Sequence, residues 1–183
     1  TIKEKWFVQL DTISNMNPQV IYNHSLKENV IVIQDLANKI YYLTDNKKFR
    51  WTKNINEQII GNISEGDFFK NNKYQMLFNS SKNIYLIDRN GDDVKPFPIK
   101  INGETKVGHS LFDYNKSKRY RIMLPLNNNS ILNINSKGKK VIGWKYSGKN
   151  IINQKLSHFM YDSKDYIVSS SDKEINLLAR DGK

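Results

Sequence analysis

Residues 40–47, Ile-Tyr-Tyr-Leu-Thr-Asp-Asn-Lys, form an apolar run that passes directly into a polar turn. The phrase returns three times: IYLIDRNG at residues 84–91, ILNINSKG at 131–138 and INLLARDG at 175–182. The first residues of the four copies are 44, 47 and 44 positions apart. A period of roughly 40–50 residues marks a stacked array, in which each supersecondary unit buries its apolar faces against its neighbours.

A second feature keeps the same period. Six residues beyond the turn position stands a large aromatic: Trp51 after Asp45, Phe97 after Gly91, Trp144 after Gly138. Trp6 falls into the same series. A third feature lies upstream, where an aromatic cluster, a polar turn and a Tyr-led apolar run recur, as in Phe68-Phe69 to Tyr74, Phe112-Asp113-Tyr114 to Tyr120 and Phe159-Met160-Tyr161 to Tyr166. Short alternating runs separated by Asn, Gly and Lys turns read as antiparallel hairpins. No segment carries an amphipathic helix pattern of useful length.

Each unit therefore holds about four strands. In the third copy they fall at residues 120–124, 131–135, 141–146 and 154–159. Pro96 and Pro98 flank Phe97, so the corresponding strand of the second copy should be weak or edge-like. A β-sandwich or barrel also has a turn every 8–12 residues or so, but neither keeps one residue class at one phase of a long period. The expectation is an all-β chain: a β-propeller of about four blades with four antiparallel strands each, forming part of a larger propeller. The chain reads as one domain, with units at approximately 1–28 together with 164–183, 29–72, 73–118 and 119–163. The strands around Trp6 and Ile175 should either pair with each other, closing a four-bladed ring, or each find a partner outside this chain. Two open edges would invite aggregation.

These blades resemble the quinoprotein-type and WD40-like propeller repeats. The phrase Ile84-Tyr85-Leu86-Ile87-Asp88-Arg89-Asn90-Gly91 with Pro96-Phe97-Pro98-Ile99, and Phe112-Asp113-Tyr114, are similar to repeats in large uncharacterised envelope proteins of Bacteroidota. The resemblance implies a cell-envelope location, periplasmic or surface. The Gly-His and Trp-Asp signatures of true WD40 blades are missing, as is the tryptophan-docking signature of quinone-cofactor enzymes. No cofactor is expected.

Composition narrows the chemistry. The chain has no cysteine, which removes disulfides, thiolate nucleophiles and Cys-based zinc sites together. The formal charge of +11 would attract polyanions. The positive charge is nearly all Lys, whereas base and phosphate recognition favours Arg, and only Arg50, Arg89, Arg119, Arg121 and Arg180 are present. Specific nucleic-acid binding is not expected. No window is apolar enough for a membrane-spanning helix.

Candidate sites are few. Asp88, Asn90 and Asp92 surround Gly91 with oxygen donors at alternate positions, as in calcium loops, but without the closing bidentate Glu; they are weak metal candidates. Trp6, Trp51, Phe97 and Trp144 are assigned to structural packing between units, with Trp51 and Trp144 largely buried. Tyr41, Tyr42, Tyr85 and Tyr114 are better placed for a surface role. His109 and His158 occupy nearly the same phase of neighbouring units. Glu65, Asp67, Asp113, Asp162 and Asp165 show no paired-carboxylate pattern. A fold signal without a catalytic constellation points to a non-enzymatic interaction or scaffold module. Its partner would be a protein or the remaining blades of the same propeller. A carbohydrate-active or other envelope enzyme, with residues converging on the axis from several blades, is the alternative.

Overall fold

The computed structural model describes residues 6–183, and every regular element in them is a β-strand. Strands succeed one another as four antiparallel sheets. The first contains β1 (Gln19–Asn23), β2 (Glu28–Gln34), β3 (Lys39–Leu43) and β4 (Phe49–Asn54) in that order. The second contains β5 (Ile60–Gly66), β6 (Gln75–Asn79), β7 (Asn83–Ile87) and the two-residue β8 (Ile99–Lys100). The third has β9 (Ser110–Phe112), β10 (Arg121–Pro125) and β11 (Ile131–Asn135), and the fourth β12 (Ser157–Tyr161), β13 (Lys164–Ser170) and β14 (Ile175–Leu178).

The repeated phrase has one backbone solution. Thr44, Asp88, Asn135 and Ala179 each accept a hydrogen bond from the residue three positions on, namely Lys47, Gly91, Gly138 and Gly182. Each of the four also donates to the carbonyl four positions on, at Lys48, Asp92, Lys139 and Lys183. The fourth residue of this turn has a left-handed φ in every copy: 64° at Lys47, 87° at Gly91, 72° at Gly138 and 87° at Gly182. Glycine reaches that region without strain, which is why three copies carry it.

Side chains on a strand alternate between two faces. A strand inside a stack of sheets therefore feeds two cores and reads as an unbroken apolar run. β6 shows this: Met76 and Phe78 join Ile40, Tyr42 and Val32 of the first sheet, whereas Leu77 joins Ile122, Leu124 and Ile134 of the third. Met123 and Ile131 of the third sheet meet Ile167 and Leu178 of the fourth. Three cores thus join four sheets in series. No closed ring forms among the described residues.

Several expectations change here. Sheet boundaries fall one strand earlier than the repeat units drawn at 29, 73, 119 and 164: β1, β5, β9 and β12 open their sheets instead of closing the preceding unit. Residues 1–5 of the first unit lie outside the described residues. The repeated phrase fixes the period but not its phase, because nothing in the links between sheets, residues 55–59 and 101–109 among them, marks where one sheet ends and the next begins. The third and fourth sheets have three strands each instead of four. In the third, the fourth-strand segment 141–146 contributes no strand; the indole Nε1–H of Trp144 donates to Ile131 O at 2.9 Å, and Lys145 N donates across to Asp181 O in the fourth sheet at 2.7 Å. The weak strand expected beside Pro96 and Pro98 is present as the short β8.

Trp6 is half-buried but belongs to no strand, and β14 pairs only with β13. Of the two expected outcomes, pairing of these segments with each other is not found among the described residues, which leaves the other, a partner outside this chain. The outer face of the fourth sheet is left apolar: Leu177 opposite Val168, Ile175 opposite Ser170, and Phe159 opposite Tyr166, with Ile175 74% and Leu177 58% exposed.

Candidate functional site

The junctions between sheets are built alike, and one of them differs in a way that opens a cleft. At the first junction Trp51 of β4 stacks on Tyr42 with ring centroids 4.7 Å apart. Its Nε1–H donates to Arg89 O in the turn of the second sheet at 2.9 Å. Gly91 lies beneath the ring. At the third junction the Trp144 ring rests on Gly182 in the same manner. At the second junction the phase-equivalent aromatic is Phe97, which is fully buried within the core between the second and third sheets. Ile99 and Pro96 meet Gly138 in its place. Pro96 and Pro98 stand in this segment, whose ladder is two residues long.

A cleft of about 690 Å³ opens at this second junction. Its floor is apolar, from Phe68, Leu86, Val94 and Pro96, with Phe69 at the lip and 57% exposed. Around the floor stand six cations, Lys70, Lys95, Lys118, Arg119, Arg121 and Lys137, and no Asp or Glu lines it.

Two of the loops that carry these cations are held by carboxylates, the buried Asp67 and the half-buried Asp113. Asp67, fully buried after β5, accepts the amides of Asn71 and Asn72 at 2.9 and 2.8 Å. Asp113 repeats the arrangement in the third sheet with the amides of Ser117 and Lys118 at 3.0 and 2.8 Å. These Asp caps let Lys70, Asn72, Lys116 and Lys118 take left-handed φ. Lys118 then reaches back across the junction to Asp67 at 2.5 Å, and Tyr120 Oη accepts the Asp67 amide at 3.0 Å. Burial pushes the Asp67 carboxyl up, but the hydrogen bond from Lys118, the two amides and the Lys118 charge bring it below the usual range. Among the described residues the other five cations of the cleft form no ion pair.

The residues singled out from sequence are placed as follows. Asp88 Oδ1 accepts the amides of Asn90 and Asp92 at 2.8 and 3.1 Å, so it caps the hairpin turn that receives Trp51. Asn135 does the same for Lys137 and Lys139, and an amide side chain serves equally well there. Among the described residues no group of three or more His, Asp or Glu converges as a metal site would require. Trp51 and Trp144 occupy equivalent positions but are half-buried rather than largely buried, since each ring edge remains over a surface turn.

Tyr41, Tyr42 and Tyr85 are buried, against the expectation of a surface role. Inner strands are covered on both faces, and their hydroxyls find partners inside. Tyr41 Oη donates to Asp35 at 2.8 Å, and burial pushes its hydroxyl up to about 12. Tyr42 Oη accepts from Asn23 Nδ2 at 2.7 Å. Tyr114 is half-buried, beneath Arg180 at 4.7 Å from its ring centroid.

His109 is 1% exposed and lies against Asn79 Oδ1 at 3.2 Å and Ser64 Oγ at 2.9 Å. Burial, aided by Lys155, brings its imidazole down to about 3. His158 instead faces Asp165 at 2.6 Å, and Asp165 also takes Arg180. Of the remaining flagged carboxylates, Glu65 accepts from Tyr22 N at 3.0 Å, and Asp162 occupies the tight β12–β13 turn with a φ of 47°.

Sequence reasoning missed the cleft. Its cations come from four separated segments, and only the odd junction in the aromatic series, Phe97 between two prolines, hinted at it.

No protein-family model matches this chain, and neither does any curated protein. Among solved structures, BBS1N crystallised in complex with ARL6DN and soaked with lead is similar at a TM-score of 0.68 and 10% identity, covering 94% of this chain and 52% of that one. A mercury-soaked crystal of the same complex gives a TM-score of 0.67 at 12% identity over the same shares. The chain thus spans about half the length of these neighbours, and the likeness is one of fold: consecutive antiparallel sheets arranged as in a propeller. No helix among the described residues is long and apolar enough to cross a membrane.

Proposed function

We propose that this chain is a stretch of a larger β-propeller serving as a non-enzymatic protein-interaction module, in a bacterial cell envelope. The observation that carries the reading is the open stack. Three cores join four sheets in series, and the fourth presents an apolar outer face of a kind that every inner sheet covers with a neighbour. The similar BBS1N chain is nearly twice as long and was crystallised with a protein, ARL6DN. The envelope location rests on the resemblance of the blades to Bacteroidota repeats.

The carboxylates that an envelope glycosidase would need support the non-enzymatic side. Asp67, Asp113 and Asp165 are committed to amides or cations of the fold, which leaves them poorly suited to proton transfer. The test offers the purified protein fractionated envelope proteins and, in parallel, a panel of glycosides. Saturable binding of a protein without glycoside turnover is expected. Turnover with no saturable protein ligand would sink the reading.

A further inference from the structure

We infer that the cleft between the second and third sheets is a recognition groove for an acidic segment of a protein partner, one that seats a tryptophan or similarly large apolar side chain between flanking Asp or Glu residues. The inference rests on the interaction-module reading and specifies the chemistry of its partner.

Three observations converge. The first is charge. Lys70, Lys95, Arg119, Arg121 and Lys137 face one cleft without a carboxylate among its lining residues, and among the described residues none of the five forms an ion pair. Like charges gathered at one site repel, and an anionic ligand relieves that repulsion.

The second is shape. The floor is apolar rather than polar, and Phe69 stands at its lip. A bare polyanion would use the charges and leave the floor wet, whereas a peptide with an apolar anchor uses both. At about 690 Å³ the cleft lies in the range of sites that take a few side chains.

The third is the repeat itself. The cleft forms where Trp51 and Trp144 have no counterpart over the turn, because Phe97 is drawn into the core. The receiving turn, with Asn135 and Lys137, keeps the same geometry as those that carry an indole. Ile99 and Pro96 cover Gly138 there instead of an indole, and the cleft opens beside them along Pro96, Ser136 and Lys137.

The groove is also braced from beneath. Lys118 is held by buried Asp67, so the loops carrying Lys70 and Arg119 are tied across the junction before any ligand arrives.

The test is fluorescence anisotropy with three synthetic peptides in one Gly/Ser background. The first carries a central Trp flanked by two Asp and two Glu; the second replaces that Trp by Ser; the third replaces the acids by Asn and Gln. Each is titrated with the purified protein and with a Lys95→Glu/Arg119→Glu/Lys137→Glu variant. All three substituted positions are exposed, so the variant should keep its thermal midpoint. The acidic Trp peptide should bind, and each of the three changes should weaken binding at least tenfold. Inorganic polyphosphate should compete only at high concentration.

Failure of the acidic Trp peptide to bind would overturn the inference. So would equal binding of the Trp-free peptide, which would make the cleft a general polyanion surface. A protein ligand from the envelope fractions that binds the triple variant unchanged would overturn the groove and leave the interaction-module reading standing. That reading falls instead to glycoside turnover without a protein ligand.

Discussion

Trp51 of the first sheet lies over Gly91 of the second so closely that a β-carbon on the glycine would meet the indole Cδ2 at 2.9 Å. Trp144 and Gly182 repeat the relationship at 3.1 Å to the indole Cε3. The aromatic phase and the turn phase of the repeat are therefore two halves of one contact, made between successive sheets.

Gly91→Ala should destabilise the fold through two separable effects. Its φ of 87° is one that an L side chain adopts at a cost of about 1–2 kcal/mol, and the new methyl would also displace Trp51 from the turn. Gly143 supplies the control, because its φ is 85° and nothing lies within 4 Å of a β-carbon there. Urea unfolding should show Gly91→Ala to be clearly the more damaging. Equal losses would mean that the indole contact contributes nothing.

Removing Lys118 should make the protein acid-sensitive. The Asp67 carboxyl lies below its usual range because the Lys118 hydrogen bond and the loop amides outweigh burial. A carboxyl lowered in the folded state lends stability above its unfolded pKa, and that stability disappears as pH falls through the folded value. In Lys118→Met the principal lowering influence is lost, so the folded value rises and acid unfolding begins at a higher pH. Far-ultraviolet circular dichroism against pH measures the shift. An unchanged acid midpoint would show that the amides alone hold Asp67.

His109 predicts a second, separate pH effect. Burial brings its imidazole down to about 3 in the folded protein, whereas the unfolded chain titrates near 6.5. Between those values the unfolded state binds the extra proton, so stability rises with pH across this window and is lost as pH falls, at up to about 1.4 kcal/mol per pH unit. His109→Gln should flatten the dependence of unfolding free energy on pH between 4 and 6. A slope identical to that of the parent protein would assign the titration elsewhere.

How much of this was legible in the sequence depends on range. The strand-turn phrase is local, and its hydrogen bonds recur in all four copies as the spacing implied. The phase of the sheets was not legible, because β4 and β5 are separated by a short link and nothing local marks where one sheet ends. The burial of Tyr41 and Tyr42 is not legible either, because only the folded chain brings Asp35 and Asn23 to their hydroxyls. The cleft joins Lys70, Lys95, Arg119 and Lys137 from four segments, and the sequence alone offers no means of bringing them together.

The outer face of the fourth sheet should govern how the chain behaves when purified alone. Val168, Leu177 and Ile175 point away from the third sheet, at positions equivalent to those of the second sheet that pack in a core. β14 also leaves its outer edge without a ladder partner among the described residues. An apolar face next to an open edge favours association with another sheet. Light scattering after size exclusion should therefore show concentration-dependent self-association, and Ile175→Lys with Leu177→Lys should reduce it. Both side chains are more than half exposed, so the double variant should keep the thermal midpoint of the parent within a few degrees. If the face is instead covered by a further sheet in the assembled propeller, the same pair placed in the assembled protein should lower its thermal midpoint. A parent chain that stays monomeric at all concentrations, together with an assembled protein indifferent to both lysines, would show that this face needs no partner.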